Sequence, residues 1–274
     1  MPVLLRPDGA VQIGWDPRRA VLVRPPDGLS AGRLAAVLRA MSSPLTRPQL
    51  QRLVGGAPGF DDVLDALVAR GVVRERVKRP AGRALSIRVH GRGPLSDLLA
   101  DGLRCSAARV SRSSHGHAAG TATGVDLVVL ADALAADPRL VRDLQTSRVP
   151  HLPVRVRDGA GVVGPLVIPG VSSCLSCADL HRTDRDPAWP ALAAQLRDVV
   201  GCADRPTVLA TAALALSQLQ QIIAAVRGDQ VCSPPATLDA TLEVNVASST
   251  ISARRWVRHP LCGCWPGLAP PVTA

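Results

Sequence analysis

Residues 164–189 read G-P-L-V-I-P-G-V-S-S-C-L-S-C-A-D-L-H-R-T-D-R-D-P-A-W, and Cys174 and Cys177 within them are half of a four-cysteine pattern. The other half is Cys262 and Cys264, in H-P-L-C-G-C at 259–264. Each pair sits beside turn formers, Pro169-Gly170 and His259-Pro260, so a short loop can aim two sulfurs at one point. Two such pairs complete a tetrahedron of thiolates, the closed set that a structural Zn²⁺ takes. C-x-C is tighter than the usual C-x-x-C, and a disulfide pair or plain buried cysteines are the alternative readings. Zinc is preferred because the N-terminus carries no export signal: Arg6, Pro7 and Asp8 cut off its short apolar start. The expected compartment is therefore a reducing cytoplasm, which favours metal over disulfide. Such a site would staple the region near 175 to the region near 264 and would not be a catalyst.

Outward from that stretch, an α/β pattern emerges. Upstream, Ala84 to Val89 reads as a strand, His90-Gly91-Arg92-Gly93-Pro94-Leu95-Ser96 as a turn, and Leu95 to Leu103 as a helix. Strand, G-x-G-x-x-S and helix form a phosphate-cradling turn in which Ser96 replaces the last glycine. Val125 to Leu130 is a buried-type strand, Asp137-Pro138 opens a helix, and His151 to Val156 is another strand. Downstream, Asp186-Pro187 opens a helix toward Val200, and a long helix runs from Pro206 to Arg227. Strands at Leu238 to Val246 and Thr250 to Val257 lead into the second cysteine pair. The apolar run Val208 to Val226 contains Ser217, Gln218, Gln220 and Gln221, which suits a buried helix and not a membrane span.

Residues 1–80 read as a separate module. Three extended runs, Val3 to Arg6, Val11 to Ile13 and Ala20 to Val23, precede three helical patterns. Ser30 caps a helix through Met41, Thr46 caps one through Val54, and Phe60 to Arg70 ends at Gly71. A strand expected at Val72 to Val77 would be the wing of a winged-helix pattern, with a linker from Arg74 to Arg83. The net charge of +10 lies wholly in residues 1–125, with 19 basic and 9 acidic side chains; residues 126–274 carry 13 of each. An acidic partner is therefore expected in the first half of the chain. Asp61, Asp62 and Asp65 on the third helix speak against nucleic acid, because they would face phosphates in a groove-inserted helix.

The order of a G-x-G turn, V-D-L-V-V-L-A-D at 125–132, G-P-L-V-I-P-G, C-x-x-C, a hairpin and H-P-L-C-G-C resembles the ThiF-type, ubiquitin-activating-enzyme-like superfamily. Residues 164–189 are similar to the TOMM precursor leader peptide-binding proteins, the ThiF-like partners of azoline cyclodehydratases. That resemblance implies a ThiF-like Rossmann-type α/β domain over 84–274 with zinc on Cys174, Cys177, Cys262 and Cys264, preceded by a winged-helix peptide-recognition domain over 1–80. It implies a cytoplasmic scaffold, not catalytic alone, that presents a precursor leader peptide to a YcaO-type cyclodehydratase in bacteriocin-type biosynthesis. Self-association to a homodimer is left open. The peptide is expected as an added strand beside Ala20, Val21, Leu22 and Val23, against Leu64 and Leu67 of the third helix, with Arg18, Arg19, Arg24 and Arg70 as a basic rim. An adenylating member needs an acid after the second strand and a lysine on the phosphates. Here no acid follows Arg109-Val110 until Asp126, and the lone lysine, Lys78, precedes the turn. Gly91 and Gly93 are thus read as a vestigial nucleotide turn and ATP is not expected, although Arg92 or Arg112 offers a substitute charge. ATP-dependent adenylation and winged-helix DNA binding are the alternative functions. Cys105, Cys202 and Cys232 read as packing residues, with a nucleophile the alternative at Cys202, and His115 and His117 as solvated, with H-x-H metal binding the alternative.

Overall fold

Ser30, Thr46, Asp137 and Asp204 each stand ahead of an apolar-periodic run, and each caps a helix. Their side chains accept the N–H of Arg33 (3.2 Å), Gln49 (3.4 Å), Arg139 (2.8 Å) and Thr207 (3.0 Å). Each cap satisfies a donor that the helix start would leave unpaired and contributes about 1 kcal/mol. The computed structural model describes residues 1–73, 84–114, 124–197, 199–228 and 233–264. The chain divides into two units, Met1–Pro80 and Ala81–Ala274.

The first unit pairs β1 (Val3–Leu5), β2 (Val11–Ile13) and β3 (Val21–Val23) in an antiparallel sheet of that order. Helices α1 (Ala31–Ala40), α2 (Arg47–Val54) and α3 (Phe60–Ala69) follow. Phe60, Leu64 and Leu67 are the inward stripe of α3 and join Val11, Leu34 and Val54 in one core. Val72 and Val73 lie in a bend; the rest of the expected wing and its linker, with Lys78, fall outside the described residues.

The second unit is a seven-stranded mixed sheet, ordered β10-β9-β8-β7-β6-β4-β5. Its parallel half comprises β4 (Leu85–His90), β5 (Ala108–Ser113), β6 (Leu127–Ala131) and β7 (His151–Arg157). The antiparallel half adds β8 (Ala160–Val163), β9 (Ala240–Asn245) and β10 (Thr250–Arg255). Successive side chains of β6 face opposite sides. Leu127 and Val129 pack with α4 (Pro94–Arg104) and α8 (Arg205–Arg227), whereas Val128 and Leu130 pack with α5 (Pro138–Thr146). By length and composition α8 is apolar enough to cross a membrane, but Thr207, Thr211 and Gln218 on it are buried and it packs on α4, β7 and β8. Two more helices, α6 (Leu175–Thr183) and α7 (Trp189–Gln195), lie between β8 and α8. The helix expected from Asp186 to Val200 is therefore shorter, with Ala188 donating its N–H to the Asp186 carboxylate (3.0 Å) just ahead of it.

Candidate functional site

Cys174 is the N-cap of α6 and Cys177 lies in its first turn, so a helix start, not a loop, spaces the first pair. The second pair follows β10. The sulfurs converge: Cys174–Cys177 3.7 Å, Cys174–Cys262 3.5 Å, Cys177–Cys264 3.5 Å, all four within 4.8 Å of one another. Thiolates at about 2.3 Å from a tetrahedral ion stand about 3.8 Å apart. The set thus fits one metal ion, and all four cysteines are free of disulfides.

Without a cation these sulfurs cannot all be ionised. The Cys174 thiol donates to Cys177, which raises Cys174 and holds Cys177 down to about 4. Burial pushes Cys264 up to about 12. Surrounding polar groups fix the loops. Ser173 donates through N–H and Oγ to Asp239 (2.7 and 2.9 Å), and Arg258 donates to the carbonyl of Val171. His259 takes the Leu261 N–H on Nδ1 (3.1 Å), leaving Nε2 to donate to Asp184 (2.9 Å), while its backbone N–H points at Cys177. His181, Asp184 and His259 also cluster, but His181 Nε2 bonds the Val257 carbonyl at 3.0 Å. This trio orients the cysteine loops as outer partners do around metal ligands.

The glycine turn sits where β4 has β5 on one side and β6 on the other, the switch point of an α/β sheet. Its anion cradle is already filled. Asp132, directly after β6 and 2% exposed, accepts the N–H of Leu95 on Oδ1 (2.9 Å) and of Ser96 on Oδ2 (3.2 Å). These are first-turn donors of α4, which in dinucleotide folds meet a phosphate. A Cβ on Gly91 would lie 2.6 Å from the Ala131 carbonyl oxygen, and one on Gly93 2.7 Å from the Asp132 carboxyl carbon. Gly93 therefore makes room for the chain's own carboxylate, and Gly91 chiefly for the backbone carbonyl that precedes it. Of the two substitute cations, Arg112 pairs with Asp97 and Arg92 is exposed. Asp132 escaped sequence reasoning because its partners lie 36 and 37 residues upstream.

In the first unit β3 is an edge strand, paired only with β2 among the described residues, and Leu22 on it is 53% exposed. Ala20 and Val21 are half-buried and Val23 is buried. Leu64 and Leu67, at 4% and 2% exposure, are core residues and leave no apolar pocket for a ligand. The reason is periodicity: the one apolar stripe of α3 is consumed by the core. Arg18, Arg19, Arg24 and Arg70 are exposed. Cys105 and Cys202, expected to pack, are exposed, and Cys232, His115 and His117 fall outside the described residues.

No protein-family model matches the chain, and no curated protein is similar in sequence. Solved structures share its fold. The heterocyclase TruD superposes with a TM-score of 0.65 at 17% identity, covering 96% of this chain and 41% of TruD. A heterocyclase in complex with substrate and cofactor gives 0.64 at 15%, covering 96% and 38%. E. coli MccB with ATP gives 0.57 at 11%, covering 96% and 97%. The chain spans about two fifths of the length of the heterocyclases it matches.

Proposed function

We propose that the chain is a leader-peptide-binding scaffold that presents a ribosomally made precursor peptide to a separate cyclodehydratase of YcaO type. The observation that carries this reading is Asp132 in the glycine turn. A fold seen with ATP in E. coli MccB here has its phosphate cradle closed by an internal carboxylate, which speaks against adenylation. Binding is the role that remains. The likeness in fold to two heterocyclases, over about two fifths of their length, supports a part in heterocycle formation.

In this reading unit 1 is a winged-helix-type recognition element and unit 2 a ThiF-like body stapled by Zn²⁺ on four thiolates. The leader adds as a strand beside Val21–Val23, main-chain bonds giving affinity and Leu22 an apolar contact. The exposed arginines around it suit an acidic leader. Duplex DNA is the rival ligand. Against it, Asp61, Asp62 and Asp65 are exposed on α3, and Gln51 and Arg47 of α2 already bond Asp61 and Asp65, each at 2.6 Å.

The test is fluorescence anisotropy of the full chain with synthetic leader peptides and with duplex DNA, alongside calorimetry with ATP. Leader binding without heat from ATP is expected. Salt-sensitive DNA binding with no peptide binding would overturn the reading.

A further inference from the structure

Residues 126–274 carry no net charge, yet the fold does not spread their arginines evenly. A cleft of about 1480 Å³ in the second unit is lined by eight arginines and three aspartates, an excess of five positive charges. It lies beside Cys174, Cys262 and Cys264. Arg155 of β7 is half-buried among its walls and makes no hydrogen bond or ion pair with a described residue. Burial and the neighbouring charges of Arg182 and Arg157 pull its pKa down to about 10, outweighing the opposing pull of Asp179. Arg142, Arg148 and Arg185 on the walls are exposed and likewise unpaired. Arg182 is the contrast: it is held by Asp179 (2.7 Å) and lies over the rings of Trp189 and Trp256.

We propose that this arginine-lined cleft is a second peptide site, which takes an acidic, extended peptide segment with apolar residues between its carboxylates. Two observations favour a peptide over a nucleotide. The volume exceeds the 300–1,000 Å³ of ordinary small-molecule pockets. The unpaired cations also stand on separate elements, Arg142 on α5, Arg155 on β7 and Arg185 after α6, where a phosphate chain would need converging donors. Leu134, Val141, Leu175 and Trp189 between them offer apolar contact. The inference goes beyond the strand site on unit 1 and stands without it.

The experiment uses the full chain and a fluorescein-labelled synthetic peptide of alternating Glu and Leu. Binding should weaken about tenfold or more in the triple variant Arg142→Gln/Arg148→Gln/Arg185→Gln, whose exposed positions leave the thermal midpoint in place. Arg155→Gln alone should also weaken it, and wild-type affinity should fall between about 50 and 200 mM salt. A Lys-Leu peptide should not bind. Undiminished binding by both variants overturns the proposal, as does displacement by micromolar ATP, which would make the cleft a nucleotide site. Loss in Leu22→Glu alone would move the acidic peptide to the β3 edge, sinking this site while leaving the leader reading intact.

Discussion

Replacing Asp132 with alanine removes the acceptor of two backbone N–H groups at a buried helix start. Each orphaned donor costs about 1–3 kcal/mol, and loss of the carboxylate from the positive end of α4 adds up to about 1 kcal/mol. Water entering the vacated space pulls the total toward the lower end, about 3 kcal/mol. Asp132 also holds φ at +73°, a left-handed conformation that Asp and Asn tolerate better than Ala. Asp132→Asn keeps that tolerance but only one acceptor oxygen, so about half the loss is expected. For a unit of this size 3 kcal/mol lowers the melting temperature by about 9 °C. The assay is urea unfolding at constant slope for wild type and both variants, repeated with pyrophosphate. The alanine variant exposes the empty cradle, so pyrophosphate should restore part of its stability by binding the folded state alone. Wild type should not respond. A loss below about 0.5 kcal/mol in Asp132→Ala, or equal stabilisation of both proteins by pyrophosphate, would refute the reasoning.

Elemental analysis should find about one zinc per chain, and Cys174→Ser should lose it and become chelator-insensitive, with all remaining thiols open to alkylation. His151 is fully buried, and burial lowers its pKa to about 4 from 6.5. The unfolded chain takes up the proton first as pH falls, so the contribution is intact above 6.5 and about 3 kcal/mol is lost as pH falls to 4. In His151→Leu that part of the acid sensitivity should vanish from denaturation midpoints compared between pH 7 and 4.5. Leu22→Glu, at an exposed edge position, should leave stability within about 0.5 kcal/mol of wild type but weaken an acidic leader in anisotropy titrations.

Locally encoded features were legible. Capping residues, the strand–turn–helix around Gly91 and Gly93, and both cysteine pairs all announce themselves within a few positions. Misreadings have physical causes. Strand β8 is A-G-V-V, four residues buried on both faces, with no alternation to betray it. Its Gly161 is required by Thr211 of α8, about fifty residues on. The edge strand β5 carries Arg109 and Arg112 on exposed positions, so the sequence shows its place after α4 but not its bounds. Helix α6 buries only Cys177 and Ala178, too few for a periodic stripe. Asp132 and the arginine cleft were out of reach because their meaning lies in partners far along the chain. A balanced charge count even concealed the cleft.

The cysteine cluster has a consequence for the order in which the molecule is made. Cys174 and Cys262 are 88 positions apart, so a metal ion held by both would close a loop containing α6, α7, α8, β9 and β10. Closing a loop of that length removes disorder from the unfolded chain comparable to about 4–5 kcal/mol for a covalent link. During synthesis the first two thiols emerge long before their partners and stay a bare, oxidisable pair until the hairpin beyond α8 is laid down. Metal capture by all four thiols would then report completion of the antiparallel half of the sheet. A nascent chain halted before residue 262 would have half its ligands and no closed loop.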